Sequence, residues 1–144
     1  MGMIDVGDKP IVLREAEARG RIRLAEATLQ EIRGRRVRKG DPFPVAEVAG
    51  MQAAKQTSLL IPHCHAVPLD TVELEFILED QGVEAVCRVR AQARTGVEME
   101  ALVGVSMALN TVWDMVKYLE KDESGQYPGT CITDLRVVRK VKGA

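Results

Sequence analysis

Polar and apolar residues alternate along "REAEARGRIRL", Arg14 to Leu24. Ala16, Ala18, Gly20, Ile22 and Leu24 fall on one side with charges between them, the period of two left by a half-buried strand. The next segment, "AEATLQEI", reads as a short helix. "RGRRVRKGDPFP" then loses both periods and collects basic residues, glycines and prolines, which predicts an exposed, mobile loop. Pro44 suits the first turn of a helix over "PVAEVAGMQAAKQTSLL", where its missing N–H would have no intrahelical partner anyway. Ile61-Pro62 ends that helix, because the residue before a proline avoids helical backbone.

Alternation returns twice. "TVELEFILE" turns Val72, Leu74, Phe76 and Leu78 inward, and "VEAVCRVRAQA" does the same with Val83, Ala85, Cys87, Val89 and Ala91; the short "DQG" link makes the pair a hairpin. After Thr95-Gly96 the period lengthens. Val97, Ala101, Val105, Ala108, Val112, Met115 and Leu119 trace one stripe of a long helix. "DESGQYPG" is a loop, and "TCITDLRVVRKVK" reads as a last strand. The order β-α-β-β-α-β, with a small extra helix after the first strand, predicts an α+β ferredoxin-like sandwich, an antiparallel four-stranded sheet with helices on one face.

The chain has 144 residues, which fits one domain over 1–144 with no need of a disulfide or structural metal. With 46% apolar but only 3% aromatic residues, the core must be aliphatic. Net charge is −1 from 20 basic and 21 acidic side chains, so no global field draws DNA, RNA or an anionic membrane. Any anion site must be local. Cys64, Cys87 and Cys131 form no CxxC pair and argue for a reducing cytoplasm. "MGMIDVGDKPIV" has neither the basic stretch nor the apolar core of a signal peptide, and no run of apolar residues is long enough to span a membrane.

Four groups of residues could carry chemistry. Arg33, Arg35, Arg36, Arg38 and Lys39 make a basic loop, either simply solvated or a lid that grips phosphate. Asp114 and Lys117, three apart on the long helix, are neighbours on one face, as a surface salt bridge or as an acid/base pair. Glu98 and Glu100 flank Met99 in that helix's first turn, where the dipole favours carboxylates and where a carboxylate could also read a base or amide edge. His63 and His65, the only histidines, would point to the same side of an extended backbone with Cys64 facing away, and no third metal ligand lies nearby. From Glu100 to Asp114 is about 21 Å along an ideal helix, too far for one small ligand, so if both function the site is built by two chains.

The strings "MIDVGDKP", "LREAEARG", "KGDPFPVAEVAGMQAAKQTSLLIPHCH", "RTGVEMEAL" and "WDMVKYLEK" together resemble the molybdenum-cofactor biosynthesis protein C family, the cyclic pyranopterin monophosphate synthases. The likeness runs over nearly the whole chain. It implies a ferredoxin-like homohexamer, a trimer of dimers, with its active site at a dimer interface. It also implies a substrate, the cyclic 7,8-dihydroguanosine triphosphate that a radical S-adenosylmethionine enzyme makes from GTP, and two products, cyclic pyranopterin monophosphate and pyrophosphate. By the same resemblance Asp114, Lys117 and Lys39 are catalytic, while His63, Cys64, His65, Glu98, Met99, Glu100 and Arg14 contact substrate, Arg14 as a phosphate contact. No cofactor is required and no protein-bound metal is expected; a divalent cation such as magnesium remains open as a companion of the triphosphate.

Three departures stand out. His63 occupies a position commonly aliphatic in the family, Arg94 stands where a lysine is frequent, and "RKVKGA" stands where many members have a Gly-Lys-Ser-Gly type tail, whose contacts are either absent or taken over by Arg139, Lys140 or Lys142. The rival reading is a non-catalytic ferredoxin-like module that binds a nucleotide or small effector. It would use the basic loop and Glu98 and Glu100 without needing Asp114 and Lys117 together.

Overall fold

A computed structural model describes all residues, Met1–Ala144. Eight elements follow one another: β1 (Val12–Arg23), α1 (Glu26–Arg33), α2 (Pro42–Lys55), α3 (Thr57–Leu60), β2 (Thr71–Glu79), β3 (Gly82–Ala93), α4 (Glu98–Glu120) and β4 (Cys131–Lys142). The sheet runs β2-β3-β1-β4, every pairing antiparallel, which is the expected ferredoxin-like arrangement.

The alternation read from sequence sets the two faces. In β1 the residues Val12, Ala16, Ala18 and Ile22 are buried under the helices; opposite them stand Ala93, Val89, Cys87 and Val83 of β3. The other face carries charge instead. Glu17 is bridged by Arg19 at 3.0 Å and Arg88 at 2.7 Å, and Glu84 by Arg19 at 2.9 Å and Arg21 at 3.0 Å. A sheet face covered by paired ions does not need a helix to hide it. All helices therefore collect on the aliphatic face.

α4 is the spine of the molecule. Val97 immediately before it, then Ala101, Val105, Ala108, Leu109, Val112 and Met115, are buried along its inner stripe. Each fully buried Val or Leu contributes roughly 1.5–3 kcal/mol of transfer free energy. α2 crosses α4 at Gly50 and Gly104, where a Cβ on Gly50 would lie 2.8 Å from the Gly104 carbonyl oxygen. Only glycine lets these backbones approach so closely. The Phe43 and Phe76 rings, stacked 5.1 Å apart, tie the start of α2 to β2.

Three expectations need correction. The proline that opens α2 is Pro42, not Pro44, because Asp41 is the N-cap and its carboxylate accepts the Phe43 N–H at 3.1 Å. The helix does not run on to Leu60. Thr57 turns its hydroxyl back to the Ala54 carbonyl at 2.8 Å, and the backbone breaks at Gln56 before the single turn of α3. The basic loop is also anchored at several points rather than loose. Val37 is buried, the Arg38 N–H donates to the Tyr118 hydroxyl at 2.7 Å, and Gly40 takes a φ of +103° that favours glycine. The arginine side chains stay exposed as expected.

Candidate active site

The predicted residues gather at the two ends of α4. At its C-terminal end Asp114 stands between two ammonium groups. Lys39 donates to Asp114 Oδ2 at 2.9 Å and to its backbone carbonyl at 3.2 Å, and Lys117 lies 3.2 Å from Oδ1. Hydrogen bonds from Lys39, then from Lys117, hold the Asp114 carboxyl below the usual carboxylate range. All three side chains are exposed, so their pairing adds little stability. One carboxylate shared by two ammoniums leaves a net positive spot. Trp113 packs edge-on against Tyr127 at 5.4 Å and covers the flank of this end.

The N-terminal end is built differently. Glu100 is only 3% exposed, and its Oε1 has no hydrogen-bond partner. Its Oε2 accepts the Cys64 thiol at 3.8 Å. Burial pushes the Glu100 carboxyl above its usual range, and burial together with the Glu100 charge pushes the Cys64 thiol up as well, so the sulfur keeps its proton. Burial would raise Glu98 too, but contact with Lys140 and the charges of Lys140 and Arg14 bring it below the usual range. Lys140 of β4 thus reaches this end of α4.

Residues 61–65 form a turn, with the Cys64 N–H on the Ile61 carbonyl at 3.1 Å, and not the extended backbone considered for the histidines. That turn swings Cys64 toward Glu100 instead of away from it. His63 is exposed; His65 is half-buried, its Nε2–H donating to the Ile4 carbonyl at 2.6 Å. Together with Met99, Glu98, Ile4, Val6 and Lys9 they line an open cleft of ≈ 600 Å³. Lys9 carried no role in the sequence reading. Its only signal was its place in "GDKP", inside a string that already matched the family, and it brings a cation to the cleft wall.

Arg14 sits beneath this cleft rather than in it. It is 4% exposed, and its guanidinium donates to the Ala93 carbonyl at 3.3 Å and the Arg94 carbonyl at 3.0 Å. Within one chain it supports the backbone that leads into α4. No group of three His, Cys, Asp or Glu side chains is arranged to hold a metal ion. No helix is long and apolar enough to cross a membrane.

Residues 3–143 match the MoaC family. A Thermococcus kodakarensis protein named "Probable cyclic pyranopterin monophosphate synthase" is 54% identical over 98% of this chain and 90% of its own. A Sulfolobus acidocaldarius protein of the same name is 53% identical over 97% of this chain and 98% of its own. A Methanothermobacter thermautotrophicus relative, 49% identical over 97% of this chain and 88% of its own, is named "Probable cyclic pyranopterin monophosphate synthase accessory protein".

Proposed function

The chain belongs to the MoaC family, and from that premise we propose that it acts as a cyclic pyranopterin monophosphate synthase in molybdenum cofactor biosynthesis, with a site assembled from the two ends of α4 in neighbouring copies. It converts the cyclic 7,8-dihydroguanosine triphosphate, in its 3′,8-cyclo form, to cyclic pyranopterin monophosphate and releases pyrophosphate. The observation that carries the shared site is the separation of its halves. Glu100 and Asp114 lie on one helix, about 21 Å apart at its ideal rise, with Lys39 and Lys117 at one end and the buried Glu100 at the other.

The chemistry divides along the same line. Closing a cyclic phosphate while pyrophosphate leaves builds negative charge on phosphoryl oxygens, and Lys39 and Lys117 supply cations there. Rebuilding the guanine-ribose skeleton needs protons moved, for which the ionised Asp114 is placed as acceptor and a lysine ammonium beside it as donor. At the other end Glu100, with one oxygen unpartnered, is suited to accept N–H bonds from the guanine-derived edge, with Cys64, His65, Met99 and Glu98 around it. His63 lies on the same turn with its side chain outside these contacts. Arg14 acts by holding the Ala93–Arg94 backbone more than by touching phosphate.

An exposed apolar strip supports the pairing of copies. Met99, Leu102, Val103 and Met107 of α4, with Leu60 and Leu135, border a groove of ≈ 370 Å³ between the two ends. A surface of this kind marks an interaction site. The working assembly is a homohexamer of three such dimers in the cytoplasm, acting as one domain over 1–144, after a radical S-adenosylmethionine GTP cyclase. It needs no resident cofactor, and a divalent cation such as magnesium travels with the triphosphate. Nucleic acid and membrane are not partners.

The test is turnover. Purified protein given the cyclic dihydroguanosine triphosphate should release pyrophosphate and yield a pterin that fluoresces after oxidation. No turnover where another family member works would sink the enzyme reading in favour of a binding module, the role that the accessory name of one relative would fit.

A further inference from the structure

Lys39 reaches Asp114 from a loop with no regular structure, so something must fix the backbone that carries it. We infer that Tyr118 is the positioning residue for Lys39, its hydroxyl holding the loop so that the ammonium falls on Asp114. The inference rests on the reading of Lys39 as a catalytic cation. Asp114 and Tyr118 are four apart on α4 and therefore share one face, about 6 Å apart along the axis. The loop runs along that face. The Arg38 N–H donates to the Tyr118 hydroxyl at 2.7 Å, and the next residue places its ammonium 2.9 Å from Asp114 Oδ2.

Tyr118 grips the loop twice. Besides accepting the backbone N–H, its ring lies under the Arg38 guanidinium, 4.6 Å from the centroid. The arginine side chain is thus drawn down on the ring, while Lys39 is left to reach the carboxylate. The other points that hold this stretch do not touch Arg38 or Lys39 themselves. Val37 is buried, Asp41 caps α2, and Glu120 caps the start of α1 by accepting the Ala25 N–H at 3.0 Å, with the Thr28 and Thr130 hydroxyls on the same carboxylate. Asp41 holds the loop's end at α2, Val37 its middle and Glu120 the far end of α1, whereas Tyr118 takes the backbone N–H of Arg38, the residue before the lysine. A packing role would need only the ring, whereas a positioning role needs the hydroxyl oxygen as acceptor.

Tyr118→Phe keeps the ring and removes that oxygen, and it is compared with Lys39→Ala and with the double variant in the assembled enzyme. One neutral hydrogen bond lost from the active geometry lowers kcat by about three- to tenfold. The expected result is that loss with an unchanged melting midpoint, faster acetylation of the Lys39 amine as read by peptide mass spectrometry, and a double variant no slower than Lys39→Ala alone. Wild-type kcat and wild-type Lys39 acetylation in Tyr118→Phe would overturn the inference, as would a double variant whose losses multiply. Full activity in Lys39→Ala would overturn the catalytic reading of Lys39 and this role with it. In that case faster acetylation would still show that Tyr118 holds the loop, so the two failures remain distinguishable.

Discussion

The two ends of α4 hold carboxylates in opposite states. At the C-terminal end Asp114 is exposed, paired with Lys39 and Lys117, and held more acidic than usual. At the N-terminal end Glu100 is buried, has one oxygen without a partner, and is held less acidic than usual. The exposed end resembles a waiting phosphate site, with cations kept in place by an anion they can leave. The buried end resembles a recognition site, since an orphaned carboxylate under cover gains most when a ligand supplies N–H groups. One helix carries both halves and cannot bring them together by itself.

The largest effects should come from the exposed end. Lys117→Ala and Asp114→Asn should each lower kcat by about 10²–10⁴-fold, the usual worth of a positioned acid or base, with little change in melting temperature because these exposed pairs hold little stability. Steady-state pyrophosphate release and a thermal melt on the same samples check both parts. A large loss of stability with modest loss of turnover would make the lysines structural and erase the contrast.

The histidine turn should show a smaller, asymmetric effect. His65→Ala should cost about 10–100-fold in kcat/KM, the worth of a hydrogen bond to a charged partner. His63→Leu should stay near wild type, since His63 is exposed and its side chain makes no hydrogen bond or ion pair. Equal losses would return the pair of imidazoles to a joint role.

The smallest free-energy change to be read is one of stability, at Glu100, with a pH dependence opposite in sign to that of Asp114. Its folded carboxyl is less acidic than in the unfolded chain, so ionising it costs stability as pH rises from the ordinary carboxylate range through the raised folded value. Glu100→Gln should therefore raise the melting temperature at neutral pH by a few degrees, at about 2–4 °C per kcal/mol for a chain of this size, while activity falls. The stabilisation should vanish below the ordinary carboxylate range. For Asp114 the sign reverses: its pairing is present above the ordinary range and lost as pH falls through its lowered value. A stabilisation by Glu100→Gln that grew on acidification would contradict this assignment.

Much of the fold was legible because it depends on local periods. The hairpin of β2 and β3 followed from two alternating runs and a short link, and the buried stripe of α4 from its helical spacing, with Leu109 and Val116 the large core residues outside the predicted stripe. The errors came where a side chain decides the backbone. Asp41 makes Pro42 the opening residue of α2, and Thr57 stops the helix by bonding back to Ala54. The site was legible at the pair Asp114 and Lys117, which are neighbours in sequence. Lys39 on Asp114, Tyr118 on Arg38 and Cys64 on Glu100 are contacts between distant segments, and no local pattern announces them. The Cys64 contact was hidden further by assuming an extended backbone where the chain turns.

The central claim is that the two ends of α4 meet across copies, and hybrid assemblies test it most directly. Asp114→Ala and Glu100→Ala chains, each inactive alone, are mixed, unfolded and refolded together, and subunit exchange is confirmed by native mass spectrometry. In a two-fold interface each mixed dimer regains one intact site, so about a quarter of wild-type activity should return. No recovery in mixed assemblies would place both halves of the site within one chain and contradict the account.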